Sequence, residues 1–173
     1  MDPNEIVERL AQFEQLCRQQ GVRFTSQRRL VLEALLGRED HPTADQLYED
    51  LRSKMPELSL TTVYRVLETL AAMGVVRKLH HTGMPVRFDA RVSRHHHATC
   101  FRCGSVVDIL DPHLDQVEAP AWLSSEFEVL DHSVQFVGLC KRCRSQAPPK
   151  AEESVQKSSS SPDQSSAWNV PQF

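Results

Sequence analysis

Apolar positions recur at helical spacing through the first part of the chain. Between residues 4 and 20, Ile6, Leu10, Phe13 and Cys17 fall three or four apart, and Gly21 marks the stop. Thr25 or Ser26 is expected to cap a second helix that turns Leu30, Ala34 and Leu35 inward. Thr43 and Gln46 make a capping box for a third helix. That helix buries Ala44, Leu47 and Leu51 and runs to about Met55, where Pro56 ends it. Ser59 reads as the N-cap of a fourth, LTTVYRVLETLAAMG, with Leu60, Val63, Leu67 and Leu70 on its apolar face and Gly74 as its stop. Thr61, Thr62, Tyr64, Arg65 and Glu68 are left on the outer face. The period then changes: VVRKLHHTGMPVRFD reads as two short strands around a turn at Thr82-Gly83. Short helices followed by a hairpin predict a winged helix-turn-helix, an arrangement that places its last helix in a DNA major groove.

Residues 90–94 are short and polar, as a hinge would be. Residues 97–110 and 127–140 are strand-like, with a helical segment between them that Pro112 and Pro120 bracket or interrupt. The expected fold is therefore α+β: a winged helix over 1–88, a hinge at 89–94, and a small α/β unit over 95–145. The Ser/Pro-rich tail at 146–173 has no periodicity and is expected to be disordered. Hydrophobic content of 40% and charged content of 25% suit an ordinary soluble protein. No run approaches a membrane span, and the first residues carry no secretory apolar segment, which predicts a reducing, cytoplasmic setting and no membrane partner. Residues 1–91 carry 13 basic and 13 acidic side chains. DNA contact must then come from a local patch. Tyr64, Arg65 and the Thr61 and Thr62 methyls suit base edges, while Arg23, Arg28, Arg77 and Lys78 suit phosphates.

The densest chemistry lies in HHHATCFRCGSVVDI, residues 95–109. Cys100 and Cys103 form one Cys-x-x-Cys pair and Cys140 and Cys143 form another, with 36 residues between the pairs. Each pair lets two sulfurs reach one tetrahedral ion from a single turn, so a structural Zn(II) is expected rather than two disulfides. Cys17 is left over, as a buried small residue. His95 and His97 alternate and would share one face of a strand, with Asp108 on the neighbouring strand, Asp89 at the hinge and His41 before the third helix. Imidazoles with carboxylates suit Fe(II), Mn(II) or Zn(II) and not calcium. Because these candidates come from both halves of the chain, a bound metal would set the angle between them.

The segments HPTADQLY (41–48), LTTVYRVLETLAAMGVV (60–76), RFD (87–89), HHHATCFRCGSVVD (95–108) and GLCKRC (138–143) resemble the ferric uptake regulator family of metal-dependent bacterial repressors. The resemblance spans roughly residues 5–145. It implies a homodimer with an N-terminal winged helix and a C-terminal dimerisation domain. It also implies structural zinc on Cys100, Cys103, Cys140 and Cys143, and a regulatory metal on His41, Asp89, His95, His97 and Asp108. The metal-loaded dimer would bind AT-rich, roughly palindromic double-stranded DNA. The spacing Asp89-x5-His95-x-His97-x10-Asp108 looks like the peroxide-responsive branch, where iron-sensing members usually carry glutamate at the last position. In that branch hydrogen peroxide oxidises a histidine ligand of Fe(II), here His41 or His95, the metal is lost, and DNA is released; the Mn(II) form resists. Residues 80–89 lack the cysteine of zinc-sensing members. At a further metal site of some iron-sensing members, matching Arg94, His96, Asp115 and His132, an arginine replaces a ligand.

Three other readings are weighed against this one. An iron-availability repressor differs only in its signal. A mononuclear metalloenzyme would show no coupling between metal and DNA, and the sequence offers no substrate pocket, so no enzymatic activity is expected. A zinc-stapled interaction module would need none of the histidines.

Overall fold

A computed structural model describes residues 1–146. Four helices open the chain: α1 (Pro3–Gln19), α2 (Ser26–Leu36), α3 (Ala44–Leu51) and α4 (Leu60–Ala72). A hairpin follows, β1 (Arg77–Leu79) antiparallel to β2 (Arg87–Asp89), turning near Gly83, whose φ of +76° suits glycine. Then come β3 (His96–Cys100), β4 (Val106–Ile109), a short α5 (Pro112–Asp115), a 3-10 turn (Ala121–Ser125), β5 (Gln135–Gly138) and α6 (Lys141–Ser145). The second sheet has the order β4-β3-β5, with β3 antiparallel to β4 and parallel to β5. A parallel neighbour needs a crossover, which the segment carrying α5 and the 3-10 turn supplies. Among the described residues no helix is long and apolar enough to cross a membrane. The expected disordered tail lies, from residue 147 on, outside the described residues.

Helix starts follow the caps read in the sequence. Asp2, Thr25, Thr43 and Ser59 accept backbone N–H groups at the starts of α1 to α4, and Thr43 and Gln46 close a reciprocal capping box. Ser59 also holds Thr62 by its hydroxyl, at 2.8 Å. Ser59→Ala is therefore expected to lower stability by about 1 kcal/mol, read as a shifted urea midpoint at constant slope.

The apolar faces pack as one core: Phe13 and Cys17 from α1, Leu32 and Leu35 from α2, Leu47 and Leu51 from α3, Val63, Leu67 and Leu70 from α4, and Phe88 from β2. Burial raises the Cys17 thiol pKa, so it sits as an inert apolar residue. Several expected positions shift. On α2 the buried face is Val31, Leu32, Leu35 and Leu36, with Leu30 and Ala34 only half-buried. This helix packs against α1, α3 and α4 together, which turns its core face toward the middle of the bundle. Helix α3 stops at Leu51, short of Met55, where the Lys54 and Met55 N–H groups fold back onto the Leu51 carbonyl. On α4 it is Val66, with Val63, Leu67 and Leu70, that is buried, and Leu60 is half-covered. Only Gln135–Gly138 of the strand-like run at 127–140 pairs as a strand.

The C-terminal sheet is thin. Its buried apolar residues are Cys100, Val106 and Cys143, while Val107, Phe136 and Val137 stay about half exposed. A unit with so little core needs a metal staple, a second chain, or both.

Candidate metal centre

Cys100 ends β3 and Cys103 lies in the tight turn before β4. That turn closes with the Gly104 N–H on the Cys100 carbonyl and the Cys100 N–H on the Ser105 carbonyl, both at 2.8 Å. Gly104 has φ +67°, and a Cβ there would lie 3.3 Å from Met84 Sδ at the hairpin, so glycine serves both the turn and the close approach. Cys140 caps α6, which carries Cys143. The four Sγ atoms lie within 4.8 Å of one another, and Cys103 and Cys140 are 3.8 Å apart. A tetrahedron with Zn–S near ~2.3 Å has an edge of about 3.8 Å, so the cluster fits Zn(II). All five cysteines are free thiols. The Ser105 hydroxyl and backbone N–H hold Cys103 down to about 5, while burial chiefly pushes Cys143 up to about 12. Thiols packed this closely ionise together only beside a cation.

The second cluster joins the two halves of the chain. His41 lies between α2 and α3, Asp89 ends β2, His95 precedes β3, His97 is on β3, and Asp108 is opposite it on β4 in register. His41, Asp89, His95 and His97 each offer an atom within 4.8 Å of the others, and Asp108 lies against the three histidines. Its Oδ1 lies 2.7 Å from His41 Nε2, 3.5 Å from His95 Nε2 and 3.6 Å from His97 Nε2. Asp89 Oδ2 is 3.0 Å from His95 Nε2 and 3.7 Å from His97 Nε2. His95 and His97 bring their Nε2 atoms to 2.9 Å. Asp89 Oδ2 and Asp108 Oδ1 are both buried, and neither receives a hydrogen bond. Two acceptor oxygens turned toward three imidazole nitrogens form a cage for a cation.

The protonation pattern suits ligation. His95 donates Nδ1–H to the Ser93 carbonyl at 2.8 Å, which leaves the Nε2 lone pair for the centre. Burial lowers the His41 pKa, against the pull of Asp108 and Asp89, and so favours the neutral, ligating ring. Burial raises that of Asp89, yet His97, the Arg91 backbone N–H, His95 and His41 together hold it below its ordinary value. His41 also has φ +51°, a left-handed backbone that costs a non-glycine residue on the order of 1 kcal/mol. Arg87 holds this strained residue by donating to its carbonyl at 2.7 Å, and the Phe88 N–H bonds the Pro42 carbonyl.

The candidate DNA contacts are less uniform. Thr61, Tyr64, Arg65 and Arg23 are exposed, and Tyr64 donates to Asp45 at 2.8 Å. Thr62 is half-covered at the helix start. Arg77 turns its guanidinium to the Val92 carbonyl at 2.8 Å, Lys78 pairs with Glu68, and Arg28 donates to the Arg23 carbonyl. Sequence reasoning missed Arg87, Arg91 and Ser93, which support the candidate ligands; all three act through or upon backbone groups, and no residue pattern announces such contacts.

A winged helix and a sheet carrying a four-thiol cluster, sharing one His/Asp cluster, define a two-part protein with a candidate metal site at its joint. The ferric uptake regulator family model matches residues 19–137, and the chain belongs to that family, whose members are metal-responsive transcriptional repressors. It is 37% identical over 127 residues to the peroxide-responsive repressor PerR of Staphylococcus epidermidis, covering 73% of this chain and 85% of that protein. Its fold matches the Helicobacter pylori ferric uptake regulator with a TM-score of 0.70 at 20% identity, over 80% of this chain and 93% of that one. The Vibrio cholerae ferric uptake regulator matches with a TM-score of 0.61 at 29% identity, over 73% and 98%.

Proposed function

We propose that this protein is a homodimeric repressor that binds operator DNA when Fe(II) or Mn(II) is held by His41, Asp89, His95, His97 and Asp108, and releases it when hydrogen peroxide oxidises one of those histidines. The observation that carries this reading is the pair of buried, unpartnered oxygens of Asp89 and Asp108, facing imidazoles from both sides of the hinge. His41 comes from the winged-helix side and His97 and Asp108 from the sheet, so filling the cage favours one arrangement of the two. In a dimer that arrangement sets the separation of the two α4 helices, and hence which half-site spacing they fit. Tyr64 and the Thr61 methyl suit thymine-rich edges, Arg65 suits guanine, and Arg23 suits phosphate. Structural Zn(II) on the four cysteines would keep the sheet, and the dimer built on it, intact in either state.

Support for the peroxide signal comes from the aspartate at 108 and from the likeness to peroxide-responsive repressors. Fe(II), when bound, would mediate the reaction, in which peroxide takes two electrons from a ring C–H carbon: one oxygen stays as C–OH and the other leaves as water. His95 and His41 are the candidates that the likeness to the peroxide-responsive branch implies; both are buried, and oxidation of His95 would disturb a ring whose Nδ1 donates to the Ser93 carbonyl. The Asp89 and Asp108 carboxylates then lose a cation partner, and the two halves are freed.

The test compares zinc-replete protein loaded anaerobically with Fe(II) or with Mn(II) on operator DNA. Near-stoichiometric peroxide is expected to release only the iron form, with 16 Da (one oxygen atom, about 16 in mass units) added to the His41 or His95 peptide. Iron-form binding that survives peroxide but is lost on chelation would instead establish a sensor of metal availability.

A further inference from the structure

Arg91 lies outside the ligand set yet touches both of its carboxylates. Its backbone N–H donates to Asp89 Oδ1 at 2.7 Å, and its guanidinium Nε is 3.2 Å from Asp108 Oδ2. The remaining oxygens, Asp89 Oδ2 and Asp108 Oδ1, are the two that face the imidazoles without a hydrogen-bond donor. One residue thus engages one oxygen of each aspartate; Asp89 Oδ1 still lies 3.8 Å from His41 Nε2, whereas Asp108 is left with Oδ1 alone toward the imidazoles. The same region opens on a cavity of ≈ 710 Å³ lined by Arg91, Asp108, Asp89 and His41, which gives a small solute access to this side of the cluster.

We propose that Arg91 is a positioning residue that restricts Asp108 to one metal-facing oxygen, so that a metal held there would keep a sixth coordination position open. The proposal rests on the regulatory-site reading above. The donor count follows from the geometry: three Nε2 atoms and two carboxylate oxygens make five, where Fe(II), Mn(II) and Co(II) accept six. A carboxylate released from Arg91 can rotate and offer its second oxygen, filling the vacancy from within the protein. The Arg91–Asp108 pair is partly exposed and contributes little to folding, so its consequence lies in denticity rather than in stability. Asp89 keeps its N–H bond in any side-chain variant at 91, which makes Asp108 the carboxylate that responds.

The experiment uses full-length, zinc-replete protein loaded with one equivalent of Co(II) per protomer, comparing the wild type with Arg91→Ala and Arg91→Lys. Five-coordinate Co(II) absorbs visible light more strongly than six-coordinate Co(II), because it lacks an inversion centre. The wild type is expected to show the stronger bands, Arg91→Ala the weaker ones, and Arg91→Lys, which still presents a cation to Asp108 Oδ2, bands close to wild type. In the Fe(II) form, histidine oxidation by peroxide is expected to slow about 10-fold in Arg91→Ala, a typical effect of losing an outer-shell partner. Identical spectra and oxidation rates in wild type and Arg91→Ala would overturn the role of Arg91 while leaving the site intact. Failure of the wild type itself to bind Co(II) at the histidines would overturn both readings.

Discussion

Cys140→Ser is expected to lose its zinc and, with it, the fold of the C-terminal sheet. Structural zinc sites in small domains carry about 10–16 kcal/mol of apparent binding free energy, as large as the whole stability of a typical domain, about 5–15 kcal/mol. This sheet has little to set against that loss: Val107, Phe136 and Val137 are about half exposed, and its buried apolar residues include two of the four clustered thiols themselves. The effect should also spread along the chain, because Cys140 caps α6 and its carbonyl accepts the Arg144 N–H. Metal analysis, circular dichroism and size-exclusion chromatography check it. Near-complete loss of zinc and of dimer is expected, with the helices of residues 3–72 retained. A dimeric, folded Cys140→Ser protein without zinc would show that apolar packing between chains, and not the thiol cluster, holds the sheet.

His95→Ala should separate the two metal sites. Its ring is fully buried, its Nε2 sits 3.0 Å from Asp89 and 2.9 Å from His97, and its Nδ1 is anchored on Ser93. Loss of an outer-shell partner alone costs a metal site about 10–100-fold in affinity. Loss of the ligand itself should therefore cost at least about 100-fold, and metal-dependent DNA binding should vanish at concentrations that saturate the wild type. The zinc content and dimer should not change, since the thiol cluster lies at the other end of β3. Gel-shift titration with Mn(II), alongside metal analysis, reads both quantities from one preparation. If His95→Ala binds DNA normally with Mn(II), the imidazole cage is not the switch.

Much of this was legible in the residues themselves. Capping residues at Thr43 and Ser59, the apolar period of α4 and the Thr82-Gly83 turn announced the winged helix, because caps and periodicity are local. The two Cys-x-x-Cys pairs announced a tetrahedral site for the same reason: two ligands per turn is a local constraint. The α2 core face shifted by one position because that helix packs against three others, which its own sequence does not encode. The strand-like run at 127–140 gave only four paired residues, since the pairing of β5 depends on β3 and not on its own propensity.

By itself, then, the sequence determined the helices, the hairpin, the thiol pairs and which His and Asp residues were candidates for a second metal. Tertiary structure alone decided that His41 meets Asp108 across 66 intervening residues, and that Arg91 engages one oxygen of each of two aspartates. It also decided that Arg77 turns to the hinge rather than outward. The physical reason is range. Backbone propensity and ligand spacing act within a few residues, whereas the direction of a carboxylate oxygen depends on donors that only packing brings near.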